Sequence, residues 1–556
     1  MDTLGANANL SYEREFLVLP SVSEEQKSSP TPTNDDLAIV GIACRFPGGS
    51  NSIDEFWSNL VEQRDCVRPV PGDRWNADYY TDASSNEFHL PAKIPSSRCG
   101  WVDFVGEFDY ETFSISRREA ENMDPQQKML LEVALQALED SGMQYVGSNT
   151  GVFVGIGQAE QYELTTADLE SINAYSVTGS ALSIPSNRLS YCFDLQGPSM
   201  SVDTACSSSL TAFHLACQAI RDGTCSAAVV AGVNILINPS TVIQFSQLGV
   251  LSPDGMCHSF SDKANGYVRS EGCGVVIVKP LQQAVMDNDH IYCRIRGTAI
   301  NQDGHRSPSL TMPSSSAQIE VFRRACINAK VNSSDIFYAE AHATGTRVGD
   351  PTEANAIGTV FGREQSYLRI GSVKSNVGHL ETASFMAGLL KCILMLEHQQ
   401  LVPNIHFTKG QGNPDIKFEQ YNLEVQTEIE QFNNREVLMM ISSFGFGGAN
   451  GCAIIQGYQH PSEPEPASSL PQLFLVSAST PHALEDRIQQ LKSSSRTFDP
   501  PAAISKTLYH RTLHRLVTFA IDKQLNENTT FVPTRKCVDQ PLACVWVFAG
   551  QGKSST

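Results

Sequence analysis

Apolar and polar positions along the chain alternate in a way that separates short buried strands from amphipathic helices. LAIVGIAC, opening at Leu37, is an apolar run that reads as a buried strand ending in the turn Pro47-Gly48-Gly49. From Asp124 the spacing turns helical: Asp124 caps, Pro125 takes the first turn, and Leu130, Leu131, Ala134, Leu135 and Leu138 share one face. Gly142 closes that helix, and the strand-like GVFVGIG follows. The alternation continues to about Gln456, which predicts an α/β domain. Residues 1–35, rich in Ser, Pro, Thr and acids, are expected to form a disordered tail. QHPSEPEPASSLPQ, 459–472, reads as a linker. Beyond it the strand LFLVSAS, a helix starting at Thr480-Pro481 and the strand HRLVTFAID predict a small α/β adaptor.

Composition narrows the class. The 556 residues carry 40 Lys+Arg against 60 Asp+Glu, a net charge of −20, which argues against nucleic acid as a partner. With 41% hydrophobic residues, a chain of this length fills a large core without disulfide or metal staples. Fifteen cysteines with no CxxC pair read as buried, reduced thiols of a cytoplasmic protein. The start, MDTLGANANLSYEREF, has neither a basic stretch nor an apolar core of a secretory signal. The longest apolar run, Ala227–Ile237, is too short for a bilayer and contains Asn234, so no membrane is expected.

Three stretches carry chemistry. In PSMSVDTACSSSLTAFHLACQAIRDG a short strand leads into Cys206, and a helix follows with Leu210, Phe213, His214, Cys217 and Ile220 on one face. Cys206 thus lies at a helix N-terminus, where free N–H groups and the macrodipole favour thiolate, and its own N–H can serve an oxyanion. His214 and Cys217 read as helix core. EAHATGTRVGDPTE places His342 after a strand, with Thr344, Thr346, Asp350 and Glu353 behind it. GSVKSNVGHLETASFMAGLLK holds Lys374 and His379, with His379 at the start of the helix through Leu390. Helix-end placement is expected to keep an imidazole neutral and able to donate to developing negative charge. Lys374 suits pairing with Glu353. The glycine-rich SSFGFGGANG offers a second oxyanion donor at Phe446 and is not a dinucleotide fingerprint. Metal binding by His342, His379 and Asp350 has unspecific spacing, and no metal is expected.

Taken in order, AIVGIACRFPGG, MDPQQKMLLEVALQALEDSG, VDTACSSSL, GVLSPDGMCHSFSDKANGYVRSEGCG, EAHATGT, GDPTE, SVKSNVGHLE and SSFGFGG resemble the β-ketoacyl synthase (ketosynthase) domain of type I polyketide and fatty acid synthases, from Asp36 to about Gln456. NQDG, 301–304, and SVKSNVGH are closer to polyketide synthases. The resemblance implies a thiolase fold, with two similar βαβαβ halves in a five-layered α-β-α-β-α core, in a homodimer. It implies a ketosynthase domain over 36–457, a ketosynthase–acyltransferase linker over 458–540 that includes the small adaptor, and the truncated start of an acyltransferase at 541–556, where VFAGQG stands.

By the same resemblance, Cys206 accepts the acyl group, while His342 and His379 promote malonyl decarboxylation and stabilise the enolate. Lys374 organises the site with Glu353. Thr344 and Thr346 contact the phosphopantetheine of an acyl carrier protein, and the N–H groups of Cys206 and Phe446 form the oxyanion hole. No cofactor is bound directly. Two departures stand out: Ala343 replaces the usual Gly and adds a methyl near the pantetheine path, and Asn450-Gly451-Cys452 replaces Asn-Ala-His. The rival readings are a thiolase acting on CoA thioesters, which would need a second catalytic Cys, and a non-catalytic dimeric scaffold fragment.

Overall fold

The computed structural model describes residues 36–81, 93–158, 160–459, 472–478, 481–493, 516–522 and 535–536. The expected tail, most of the expected linker and the VFAGQG stretch lie outside these residues. One sheet dominates, with strands β1 (Leu37–Arg45), β2 (Thr150–Gly155), β3 (Ser199–Val202), β4 (Ala227–Asn234), β5 (Gly272–Pro280) and β6 (Cys293–Gln302). It continues with β7 (Ile336–Glu340), β8 (Leu368–Gly371), β9 (Leu423–Val425), β10 (Leu438–Phe444) and β11 (Ala449–Gly457). In space the order is β9-β8-β7-β10-β11-β6-β1-β5-β4-β2-β3.

That order contains one plan twice. Strands β1-β5-β4-β2-β3 pair antiparallel, antiparallel, parallel, parallel. Strands β6-β11-β10-β7-β8 repeat the same four pairings, and β9 adds a parallel edge. The halves join where Leu37–Ile39 of β1 meets Cys293–Ile295 of β6.

Helices α1 (Pro125–Ser141) and α2 (Ile184–Phe193) pack on the first half. Helices α4 (Ser315–Ala329) and α5 (Gly349–Phe361) form the layer on the second, α4 against β6 and β11 and α5 against α4; α3 (Ser208–Arg221) and α7 (Ser384–His398) touch strands of both. The short α6 (Lys374–Val377) precedes α7. The result is the five-layered α-β-α-β-α arrangement. Period-two alternation explains why strands buried on both faces suit it: Leu37 and Ile39 join the central core, while Ala38 and Val40 join the core under α1. On β11, Ala453 and Ile455 face the centre, and Cys452 and Ile454 face the core with α4. Helix α7 is buried from Ser384 to Leu396, as a helix apolar on all sides must be.

The local expectations near the N-terminal half hold in detail. Asp124 caps α1 by accepting from the Gln126 N–H, and Gly142 ends it at φ +61°. The adaptor's elements also form: strands Gln472–Ala478, Leu516–Asp522 and Arg535–Lys536 make an antiparallel sheet, with a helix over Pro481–Ser493. Since Leu389 is fully buried in the central layer, Leu389→Ala should cost about 2–5 kcal/mol and lower the urea midpoint of the full chain.

Candidate active site

Cys206 sits in the turn between β3 and α3, one residue after Ala205, which holds φ +56°. Its carbonyl is clamped by two hydroxyls from opposite parts of the molecule: Ser384 Oγ at 3.1 Å, from the start of α7, and Ser443 Oγ at 2.8 Å, from β10. The backbone N–H groups of Cys206 itself and of Phe446 both favour the charged form of its Sγ. Phe446 reaches the sulfur because residue 445 is glycine; a Cβ there would lie 2.4 Å from the Thr204 carbonyl oxygen. The loop is tied down by Asn450, whose amide donates to Asn301 Oδ1 at 3.1 Å and Asp303 Oδ1 at 2.7 Å. The NQDG stretch therefore holds the glycine-rich loop that carries Phe446.

The thiol departs from expectation. Burial pushes its pKa up, the Glu381 carboxylate adds to the rise, and Lys374 and the two N–H groups offset only part of it. At neutral pH the resting group is the thiol, because desolvation of the charged form outweighs the helix end.

Both histidines are neutral, for a different reason than helix-end placement. Burial lowers each well below the ordinary histidine value, and the Lys374 cation reinforces it. His379 lies in the link between α6 and α7, five residues before α7 begins, in extended backbone that pairs with Arg269. Gly378, at φ +75°, makes the bend that frees it from α6. Its Nδ1 accepts the Glu381 N–H at 3.2 Å, so the neutral ring carries its proton on Nε2. His342 lies just beyond β7, edge-on to His379 at 5.1 Å and 87° between ring planes. Its Nδ1 is buried and has no hydrogen-bond partner among the described residues.

Glu353 shapes the turn that carries His342. Its carboxylate accepts from the N–H groups of His342 (2.8 Å) and Ala343 (2.7 Å) and from Ser442 Oγ (2.6 Å). Lys374 attracts it through space, and burial lowers the lysine's own pKa. Thr344 and Thr346 present hydroxyls 3.3 Å apart on the next turn. Asp350 stands apart from the histidines: its oxygens accept from the N–H groups of Phe260, Gly345 and Thr346. The Ala343 methyl packs into the core of the second half. Gly451 is required by Leu210, whose Cδ2 would lie 2.3 Å from a Cβ there, and Cys452 is core. Cys217 is core as well, and the His214 ring is held by Thr298 Oγ1 at 2.7 Å.

Sequence reasoning passed over Glu381 and Arg269. Glu381 Oε2 lies 4.0 Å from Cys206 Sγ, and its Oε1 accepts from Arg269 Nε at 3.0 Å. A glutamate two residues beyond a candidate histidine, in an otherwise small and apolar run, was the available signal.

The Sγ of Cys206 and one ring nitrogen of each of His342 and His379 all lie within 4.8 Å of one another. Such a cluster can bridge a metal ion. It equally suits a nucleophile flanked by two neutral hydrogen-bond donors, with paired N–H groups for an oxyanion.

Comparison with known proteins agrees with that second chemistry. The family model described as beta-ketoacyl synthase, N-terminal domain, matches residues 34–284, its C-terminal domain 292–408, and the ketoacyl-synthetase C-terminal extension 412–518. The chain is 43% identical over 77% of its length to probable polyketide synthase 1 of Dictyostelium discoideum, and 36% identical over 97% to polyketide synthase PksL of Bacillus subtilis. It spans 14% and 12% of those relatives' own lengths. Among solved structures, the oxazolomycin ketosynthase domain OzmH KS7 of Streptomyces albus superimposes with a TM-score of 0.82 at 35% identity, covering 88% of this chain and 86% of that one. The ketosynthase from module 6 of the bacillaene synthase of Bacillus subtilis gives 0.77 at 33% identity, over 88% and 83%.

The buried neutral histidines have a measurable consequence. Their folded pKa values lie below the unfolded value, so unfolding takes up protons as pH falls below about 6.5. Their contribution is fully present above that pH and is lost below it, by up to about 1.4 kcal/mol per pH unit for each ring. Replacing both by Gln should flatten the acid side of the unfolding-midpoint curve relative to wild type. An unchanged slope would mean that the rings are protonated in the fold.

Proposed function

The chain belongs to the β-ketoacyl synthase family, with its thiolase fold, and we propose that it extends a Cys206-bound acyl chain by decarboxylative Claisen condensation in polyketide biosynthesis. The observation that carries the proposal is the convergence of Cys206 Sγ with His342 and His379 within 4.8 Å, beneath two backbone N–H donors.

The acyl group arrives as a thioester on the phosphopantetheine of an acyl carrier protein. Cys206 Sγ attacks its carbonyl, and the Cys206 and Phe446 N–H groups receive the oxyanion. A malonyl thioester then occupies the histidine side. His379, with its proton on Nε2, and a neutral His342 donate to the thioester oxygen, so loss of carbon dioxide leaves charge on a stabilised enolate. The enolate carbon attacks the acyl carbon, and the Cys206–acyl bond breaks to release a β-ketoacyl thioester on the carrier. Lys374 supplies a fixed positive charge that keeps both rings neutral, with Glu353 holding the His342 turn. Thr344 and Thr346 are suited to hydrogen-bond the pantetheine amides, and nothing in this reaction requires a bound cofactor. The rival thiolase reading lacks its second catalytic cysteine at the cluster, and an intact Cys-His-His set disfavours a non-catalytic scaffold.

We assign residues 36–457 to the ketosynthase unit and 458–540 to a linker that joins it to an acyltransferase beginning near 541. A homodimer is supported by the end strand β3, whose outer edge has no partner strand among the described residues, and by exposed Val177, Tyr191 and Met200. Among the described residues no helix is long and apolar enough to cross a membrane, and the thirteen cysteines among them are free, which suits a reducing cytoplasm.

Cys206→Ala should abolish condensation from acyl and malonyl carrier thioesters, read by intact mass. His342→Ala and His379→Ala should still acquire the acyl group but condense ~10²–10³-fold more slowly. Wild-type condensation in either histidine variant would remove that residue from the scheme. Sedimentation should give twice the chain mass, and a charged pair on β3, Ser199→Lys with Ser201→Lys, should shift it toward the monomer.

A further inference from the structure

Glu381 meets two of the reacting side chains, His379 through its backbone N–H and Cys206 through its carboxylate. Its N–H donates to His379 Nδ1, and its Oε2 faces Cys206 Sγ at 4.0 Å, the outer limit of an S–H···O contact. The residue holds φ +51°, a conformation that a glutamate adopts only where its surroundings impose it. Those surroundings are specific. Arg269 fixes Oε1 and spends its other donors on Thr241 Oγ1 (2.6 Å) and Gln158 Oε1 (3.1 Å), with its guanidinium 4.8 Å over Phe245. Arg269 therefore holds Oε1, Tyr267 also acts on the carboxylate, and Oε2 is the oxygen that faces the sulfur.

A buried thiol must lose its proton as it attacks a thioester. His379 offers no acceptor for it, since Nδ1 is occupied by the Glu381 N–H and Nε2 carries the ring proton. We propose that Glu381 is the general base of acyl loading: Oε2 takes the Cys206 proton as Sγ attacks, and returns it to the departing thiolate of the carrier arm. The S–H bond of Cys206 and the acyl–S bond of the incoming thioester break. The acyl–Cys206 bond and the S–H bond of the carrier arm form. The carboxylate begins and ends ionised, and no further reactant is needed. This assignment rests on the condensing reading above.

The groups around the carboxylate are Arg269 and Tyr267 from the segment before β5, Cys206 ahead of α3, and His379 on its own segment. Lys374 of α6 acts on the sulfur, and Glu160 lies behind Arg269 through Thr241. Burial raises the carboxylate's pKa against the pull of Arg269 and Tyr267, which makes it a stronger base than a surface glutamate.

The test is single-turnover acylation of the full chain by a short acyl thioester of a holo carrier protein, followed by intact mass from about pH 6 to about pH 9. Above the pH at which Glu381 ionises, wild type should load at a rate that changes little, because the proton acceptor is built in. Glu381→Gln should load ~10²-fold or more slowly near neutrality, and its rate should climb about tenfold per pH unit as bulk base takes over. A deficit in Glu381→Gln with the wild-type pH profile would indicate packing alone and overturn the proposal. So would transfer of the pH-dependent defect to His342→Gln with Glu381→Gln unaffected. If the Gln variant does not fold, the wild-type profile decides: a tenfold rise per pH unit would overturn the assignment. Failure of wild type to acylate at any pH would instead overturn the condensing reading, and this proposal with it.

Discussion

The site depends on the clamp that holds the Cys206 carbonyl between Ser384 and Ser443. Neither hydroxyl is close to Cys206 in sequence; one comes from the start of the central helix α7 and the other from strand β10. With the carbonyl fixed, the peptide plane it shares with the Ser207 N–H is fixed too, which anchors the Cys206 backbone at the start of α3 beside the glycine loop that carries Phe446. The clamp is buried, so each hydroxyl satisfies a polar group that would otherwise be stranded in the central layer.

A second constraint is electrostatic. Lys374, Arg269, Glu353, Glu381, Glu340 and His379 are buried within one region of the fold, with His342 half-buried beside them. Charges there are tolerated because opposite charges or donors face them: Arg269 pairs with Glu381, Lys391 with Glu340 and Tyr338, Glu353 with two backbone N–H groups and Ser442, and Glu340 and Glu353 attract Lys374 through space. The histidines are the groups left without a compensating charge, and they remain neutral. Acid–base behaviour at the site is thus set by what burial forbids more than by helix ends.

Much of this was legible from residues alone. The buried strand at Leu37, the cap–proline–glycine frame of α1 and the strand–Cys–helix order at Cys206 are local signals, and local signals survive folding. His379 stands just before the helical turn Glu381–Ala383 that leads into α7, near the helix start its spacing predicts, and what spacing did not reveal is that Gly378 at φ +75° separates it from α6. The thiol's state was misjudged because desolvation depends on layers packed from distant segments, which spacing does not reveal. Glu381 escaped notice since its meaning lies in a contact 175 positions away along the chain. The doubled strand order was available only through the family resemblance, since the two halves share pairing geometry without sharing a visible sequence repeat.

The same clamp has a bearing on synthesis. Ser443 lies 237 positions after Cys206. A ribosome adding roughly 5–20 residues per second needs on the order of 10–50 s to cover that distance. For most of that interval the nascent chain displays a cysteine whose turn lacks both its anchors, since Ser384 itself follows 178 positions later, along with its second N–H donor and the sheet that buries it. A site assembled last from its most distant parts cannot act until translation is nearly past it. Until then its thiol is an ordinary exposed one, open to oxidation and to any electrophile in the cell. In this chain the order of emergence, as much as the final geometry, decides when the nucleophile is safe.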